Sequence, residues 1–276
     1  MTRRVLPLSA LLIAFVWAPA ASAQADARPG GVEPADAPRT FADLERANAS
    51  RVDPETAPAY YIVRPREAMR KSPGGAILAY LPLRTALRAM GEPDADGWRP
   101  VLHGETEGWV RDEAISNLWI RMDKSERTLY VYRGAELWKT LPADVSNTPE
   151  GDKVRRAGRT EEAEHKIPEG TFYVTRRFEE SDYYLAFVLS YPTPVHALRG
   201  LETGLISQGE YEAIVRAHRE FREPPQGTRL GGLIEIHGSG SGRRRAWTRG
   251  CIALRNVHMD DLWEVVEVGT PVVIEP

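Results

Sequence analysis

His237 closes the apolar run GLIEIHG, and Cys251 follows fourteen residues later inside WTRGCIALRN. Cys251 is the only cysteine in 276 residues, so no disulfide forms within the chain. Such a sulfur is either a small packed apolar group or a nucleophile. A thiol at its ordinary pKa of about 8.5 is only a few per cent thiolate at neutral pH. A nearby imidazole can take its proton, and nearby cations can hold the anion. Arg243, Arg244, Arg245 and Arg249 all lie between the two residues. Each unit by which they depress the thiol pKa corresponds to about 1.4 kcal/mol in favour of the thiolate. The chemistry that suits this set is acyl transfer. Gly250 lets the chain turn sharply, which frees the Gly250 and Cys251 amides to face a developing oxyanion. The Thr248 hydroxyl can bond the turn or the imidazole. The remaining histidines are scattered and share no ligand spacing with the cysteine, so neither metal nor cofactor is expected.

These residues need elements to position them. GLIEIHG reads as a short buried strand ending at His237-Gly238. After the cysteine, Asn256 suits a helix N-cap, with Asp260 and Asp261 in the first turns. That helix buries Met259, Leu262, Trp263 and Val266 and ends near Gly269, before a last strand PVVI. The clearest helix begins at Ser207. Ser207-Gln208-Gly209-Glu210 is a capping box, and Tyr211, Ile214, Val215, His218 and Phe221 follow at helical spacing. Pro224 and Pro225 stop it. From Leu118 onward, LWIRMD, RTLYVYRG and ELWKTLPADVS predict a meander with turns at Lys124-Ser125 and Arg133-Gly134. TFYVTRRF and YYLAFVLSYP predict two further strands. The polar stretch 147–166 and the arginine run 243–245 read as surface loops. Tyr191, Pro192 and Trp247 either line the pocket or pack beneath it. The chain is mostly β with a few helices.

Upstream, short runs such as AILAYL, GWRPVL and EGWVRD alternate with Gly, Pro and Asp turns, which predicts a small antiparallel barrel. Residues 24–57 are rich in Ala, Pro, Asp and Arg and read as a linker. Thr40 and Asp43 make one capping-box-like start within it. Residues 1–23 have the form of an export signal: Arg3 and Arg4, an apolar middle from Val5 to Trp17, and Ala21-Ser22-Ala23 as the cleavage site. The apolar run is short for a membrane span, so no integral span is expected after cleavage. The expected location is exported, in the periplasm or cell envelope. A bare thiol is a liability in an oxidising compartment, which favours a cysteine with a task. The formal net charge is -3, so nucleic acid is not an expected partner.

Two resemblances sharpen these readings. GWRPVL followed by GETEGWV resembles the final hairpin of the bacterial SH3-like domain, with Trp98 and Trp109 as its aromatic marks. Histidine-glycine, a loop, then WTRGCIALRN resembles the signature of the L,D-transpeptidase (YkuD-type) catalytic domain family. DKSERTLYVYRG and HKIPEGTFYVTRRF resemble that family's opening strands and its turn before the next strand. The implied division is a signal peptide 1–23, a linker 24–57, an SH3-like domain 58–117 and a β-rich catalytic domain 118–276. By position, the resemblance makes Cys251 the nucleophile and His237 the general base, with Gly250 in the oxyanion hole. Gly238, Thr248, Arg249, Asn256, Tyr191 and Trp247 are the implied substrate-side residues. Arg249 stands where many members have a second histidine, and Ala253 where they have an arginine. Substrate carboxylates must then be held by other groups, with Arg249 and Arg255 as candidates.

The activity implied is acyl transfer on peptidoglycan stem peptides through a thioester, with carbapenem-type β-lactams as covalent inhibitors. An L,D-carboxypeptidase or amidase would use the same site. A sortase-like transpeptidase and a non-catalytic wall-binding module are the rival readings.

Overall fold

The computed structural model describes residues 59–158, 161 and 164–276. The export signal, the linker and its short helix lie outside the described residues.

The first sheet is built from β1 (Ala59–Ile62), β2 (Arg66–Arg70), β3 (Ile77–Pro82), β4 (Ala86–Ala89), β5 (Trp98–His103), β6 (Thr106–Arg111) and β7 (Ile115–Ser116). Its order is β3-β2-β6-β5-β4-β1-β7, with every pairing antiparallel. GWRPVL and ETEGWV form the β5–β6 hairpin in the register Trp98 to Arg111. Ile62, Met69, Leu81, Val101 and Val110 fill its interior. Trp98 is buried and sandwiched near the guanidinium groups of Arg111 and Arg70.

The meander follows as β8 (Leu118–Asp123), β9 (Thr128–Arg133) and β10 (Glu136–Pro142). Burial alternates strictly along β8, which is why LWIRMD lies flat against the core on one face. A short β11 (Val145–Ser146) precedes the long hairpin of β12 (Gly170–Ser181) and β13 (Tyr184–Leu189). The chain then forms α1 (Pro194–Glu202) and α2 (Gln208–Arg219), followed by β14 (Glu235–His237), β15 (Ala246–Thr248) and β16 (Ile252–Ala253). It finishes with α3 (Asn256–Trp263) and β17 (Pro271–Glu275). The second sheet has the order β10-β9-β8-β17-β12-β13-β14-β16, and β11 pairs with β15 apart from it. Phe172, Phe187, Leu189, Ile236, Ile252, Leu254 and Met259 belong to one continuous core beneath the sheet and helices. The fold is mostly β, with three α-helices among the described residues, as expected. Among the described residues, no helix is long and apolar enough to cross a membrane.

Helix α2 begins where the sequence indicates: the Ser207 hydroxyl accepts from the Glu210 amide and the Glu210 carboxylate accepts from the Ser207 amide. Three local readings need correction. Helix α1 is not anticipated, although Thr193 before Pro194 is a fair start signal because proline suits the first helical position. Asn256 is the first residue of α3 rather than its cap, which is Arg255. Its side chain is engaged elsewhere, accepting from the Ser239 amide at 2.7 Å. The polar stretch 147–166 is not simply a surface loop. Lys153 and His165 are buried, and Asp152 accepts from the Glu169 amide and from Arg199.

The two sheets meet through buried polar groups. The Tyr61 hydroxyl donates to the Leu118 carbonyl. Arg84, 1 % exposed, lies over the rings of Tyr173 and Phe221 at 4.8 and 5.3 Å.

Candidate active site

Strands β14 and β16 run parallel in the register Ile236 to Ile252 and His237 to Ala253. Continued back by one residue, that register sets Cys251 beside Glu235. Cys251 directly precedes β16, and its sulfur rests against the backbone leading into β14, on the Leu233 carbonyl and a backbone bond from Glu235. Positions 237 and 251 are thus diagonal in the extended register, a relation that spans roughly 7–8 Å between backbones.

His237 is buried, and its Nδ1 lies 2.7 Å from the Gly238 carbonyl. A carbonyl only accepts, so Nδ1 carries the proton and donates it, which leaves the Nε2 lone pair as the base. Burial lowers the imidazole pKa, partly offset by the Gly238 bond, so the ring is neutral at pH 7. Tyr183 tilts against the imidazole at 4.7 Å, and Trp247 meets it edge-on at 6.0 Å. These rings fix the plane of the base.

The cysteine differs from expectation. Its thiol donates to the Leu233 carbonyl at 3.4 Å rather than to the imidazole. Burial pushes its pKa up to about 12, and the Glu235 carboxylate adds to that rise. A backbone bond from Glu235 and the Lys153 charge oppose it. The arginines 243–245 are not among the groups that shift the thiol pKa. Arg244 donates to Thr128, and its carbonyl accepts from Arg127. Cys251 and His237 therefore rest as a neutral pair. Catalytic hydrogen bonds commonly tighten only once substrate binds.

The turn ahead of the cysteine is built for glycine. Gly250 has φ +117, and a Cβ there would sit 2.8 Å from the Lys166 carbonyl. Among the described residues neither the Gly250 nor the Cys251 amide finds an internal acceptor. Thr248 is buried and donates to the Cys251 carbonyl at 2.6 Å, so it braces the turn and not the imidazole. Gly238 is held to its size from three sides: a Cβ would lie 2.8 Å from Asn256 Oδ1, from the Tyr183 carbonyl and from Tyr184 Cβ. Arg249 and Trp247 are exposed beside the turn. Tyr191 is fully buried, donates to the Leu230 carbonyl and packs against Phe172, so its place is in the core under the site.

Two residues escape the sequence reading. Asp144, fully buried, accepts from the Ser241 amide and hydroxyl, the Arg245 amide and Trp247 Nε1, all at 2.7–2.9 Å. It ties down the loop between His237 and Cys251, and those bonds hold its carboxyl below the usual range against the opposing effect of burial. Its signal is an aspartate inside the apolar run LPADVS. The other is Glu235, visible as the lone acid in GLIEIHG, whose own pKa is raised by burial.

The sequence model of the YkuD family, the L,D-transpeptidase catalytic domain, matches residues 117–274. This chain belongs to that family. The L,D-transpeptidase match takes in every element from β8 to the last strand, and with them the His237–Cys251 pair. Solved structures are similar at low identity. An L,D-transpeptidase from Xylanimonas cellulosilytica is 15% identical over 58% of this chain and 61% of its own, with a TM-score of 0.35. The helical cell shape determining protein Pgp2 from Campylobacter jejuni is 22% identical over 58% of this chain and 48% of its own, with a TM-score of 0.37. LdtMt1, an LD transpeptidase solved in complex with imipenem, is 15% identical over 71% and 72%, with a TM-score of 0.34. The chain spans between about half and three-fifths of the first of these. No curated protein matches it.

Proposed function

We propose that this chain is a cysteine acyltransferase of the L,D-transpeptidase type, acting on peptidoglycan stem peptides in the cell envelope. The observation that carries the reading is the pairing of β14 with β16. It brings the backbone of His237, whose Nδ1 is bonded to the Gly238 carbonyl, near that of Cys251, which follows a glycine turn, and this supports the reading.

The steps follow from those atoms. The peptide carbonyl enters beside Gly250, the thiol leaves Leu233, and its proton passes to His237 Nε2 as sulfur attacks carbon. The negative charge on the carbonyl oxygen falls to the Gly250 and Cys251 amides. Imidazolium then protonates the departing amine, which leaves a thioester on Cys251. An incoming amine resolves it to a new amide bond; water would release a shortened stem. His237, acting alone, serves as both base and acid. Residues 58–117 are read as an SH3-like module that holds the enzyme to the wall, behind a cleaved export signal and linker. Gly238, Thr248 and Asn256 shape the loop, while Arg249 and Trp247 face the substrate.

The test is acylation by a carbapenem, followed as added intact mass. Wild type should gain one adduct, and Cys251→Ala none. A folded wild-type protein that gains no adduct defeats the reading. Muropeptide analysis of treated sacculi then separates new cross-links from trimmed stems.

A further inference from the structure

A cavity of about 220 Å³ opens beside the thiol, and its wall includes Lys153, Arg156, His165, Gly231, Leu233 and Arg249. Two of these connect it to the nucleophile. The Leu233 carbonyl receives the Cys251 thiol, and Arg249 stands two residues before the cysteine. Among the described residues that form it there is no carboxylate.

Lys153 sets its character. The residue is 5% exposed, and its stem runs close against Gly231, where a Cβ would lie 3.2 Å from Lys153 Cε. A lysine buried this deeply ordinarily ends on an acid. Among the described residues, no hydrogen bond or ion pair reaches this ammonium. Largest first, it senses the nearby Cys251 thiol and then two carboxylates, Glu164 and Asp152. Both are engaged elsewhere: Asp152 with Arg199 at 2.6 Å, and Glu164 with Arg155 at 3.9 Å. Burial holds the Lys153 pKa below the usual amine value, as befits a cation short of counter-charge. Arg156 gives its guanidinium to the Thr228 and Gln226 carbonyls, which props the segment leading to Leu233.

We infer that this cavity is a carboxylate subsite, in which Lys153 and Arg249 hold the C-terminal carboxylate of the residue that departs when Cys251 attacks. The inference rests on the acyl-transfer reading and adds how the leaving side of the peptide is chosen. Ala253 stands where the family resemblance places an arginine, so the cation is supplied here from another part of the chain.

The single thiol allows a test that needs no turnover. Iodoacetate and iodoacetamide alkylate Cys251 by the same step, in which sulfur displaces iodide, an S–CH2 bond forms and the C–I bond breaks. Only iodoacetate brings a carboxylate to the cavity. The ratio of the two rates, read by intact mass, cancels any change in the thiol's own reactivity. That ratio should fall about fivefold in Lys153→Met, less in the exposed Arg249→Gln, and recover in Lys153→Arg. Lys153→Met removes an uncompensated buried charge, so the fold should hold. In wild type, an L,D-peptide ending in a free acid should slow iodoacetamide alkylation, and its C-terminal amide should not. A ratio unchanged in both Lys153→Met and Arg249→Gln, or equal protection by acid and amide, overturns the subsite. Anion-selective alkylation without any carbapenem adduct would instead overturn acyl transfer and leave the subsite standing.

Discussion

Burial and the Glu235 carboxylate keep the proton on Cys251, while burial alone keeps His237 neutral. A preformed thiolate–imidazolium pair would give an alkylation rate that levels off near neutral pH. Here the free-enzyme rate should instead climb about tenfold per pH unit from pH 7 to pH 10, because the thiolate fraction grows that fast well below a pKa near 12. A plateau below pH 8 would contradict a neutral pair. Glu235→Gln removes the one carboxylate that adds to the rise, so its alkylation rate at pH 8 should exceed wild type several-fold. Gly250→Ala tests the turn. Its left-handed φ and the clash with the Lys166 carbonyl cost about 1–3 kcal/mol, and the misaimed amide should slow carbapenem acylation about a hundredfold or more. A variant that acylates at the wild-type rate would remove Gly250 from the oxyanion site.

The loop between β14 and β16 owes its shape to one buried carboxylate. Asp144→Ala would leave the Trp247 indole, the Ser241 amide and the Arg245 amide without their acceptor, at a cost of about 1–3 kcal/mol each if they stay buried. We expect a melting temperature lower by several degrees and a larger loss of acylation than of secondary structure, read by circular dichroism. This anchor also marks where sequence reading stops. His237, Gly238, Gly250 and Cys251 are legible because short spacing and steric demand are written locally. The capping box at Ser207 and the meander from Leu118 are legible for the same reason: local hydrogen bonds and alternating burial repeat with the chain. Asp144 acts on a loop about a hundred residues away, and Lys153, whose charge the thiol senses, comes from a stretch whose composition resembles solvent-exposed chain. Long-range partners of that kind leave only a weak trace, such as one acid in an apolar run. The raised thiol pKa is illegible in the sequence for a related reason: counting arginines reports neither the burial nor the Glu235 carboxylate that set it.

Among the described residues, burial lowers the pKa of three imidazoles: His237, His258 and His218, the last pushed down to about 4. As pH falls, the unfolded chain takes up these protons first. The stability they contribute is full above about pH 6.5 and drains away towards pH 4, by roughly 3 kcal/mol for His218. Thermal melts should show that slope, and His218→Gln should flatten it. The seam between the sheets bears on truncation. A chain cut before residue 117 loses the Tyr61 bond to Leu118 and the Arg84 cover on Tyr173 and Phe221. It should melt lower and aggregate more readily than the longer chain, as calorimetry and light scattering would register. The same seam has a mechanical consequence. Two sheets locked by buried groups behave as a caliper and not as a leash. Under the proposed wall-anchoring role of the smaller sheet, a gripped polymer strand would meet the sulfur at a set spacing, one fixed stride from the point of attachment.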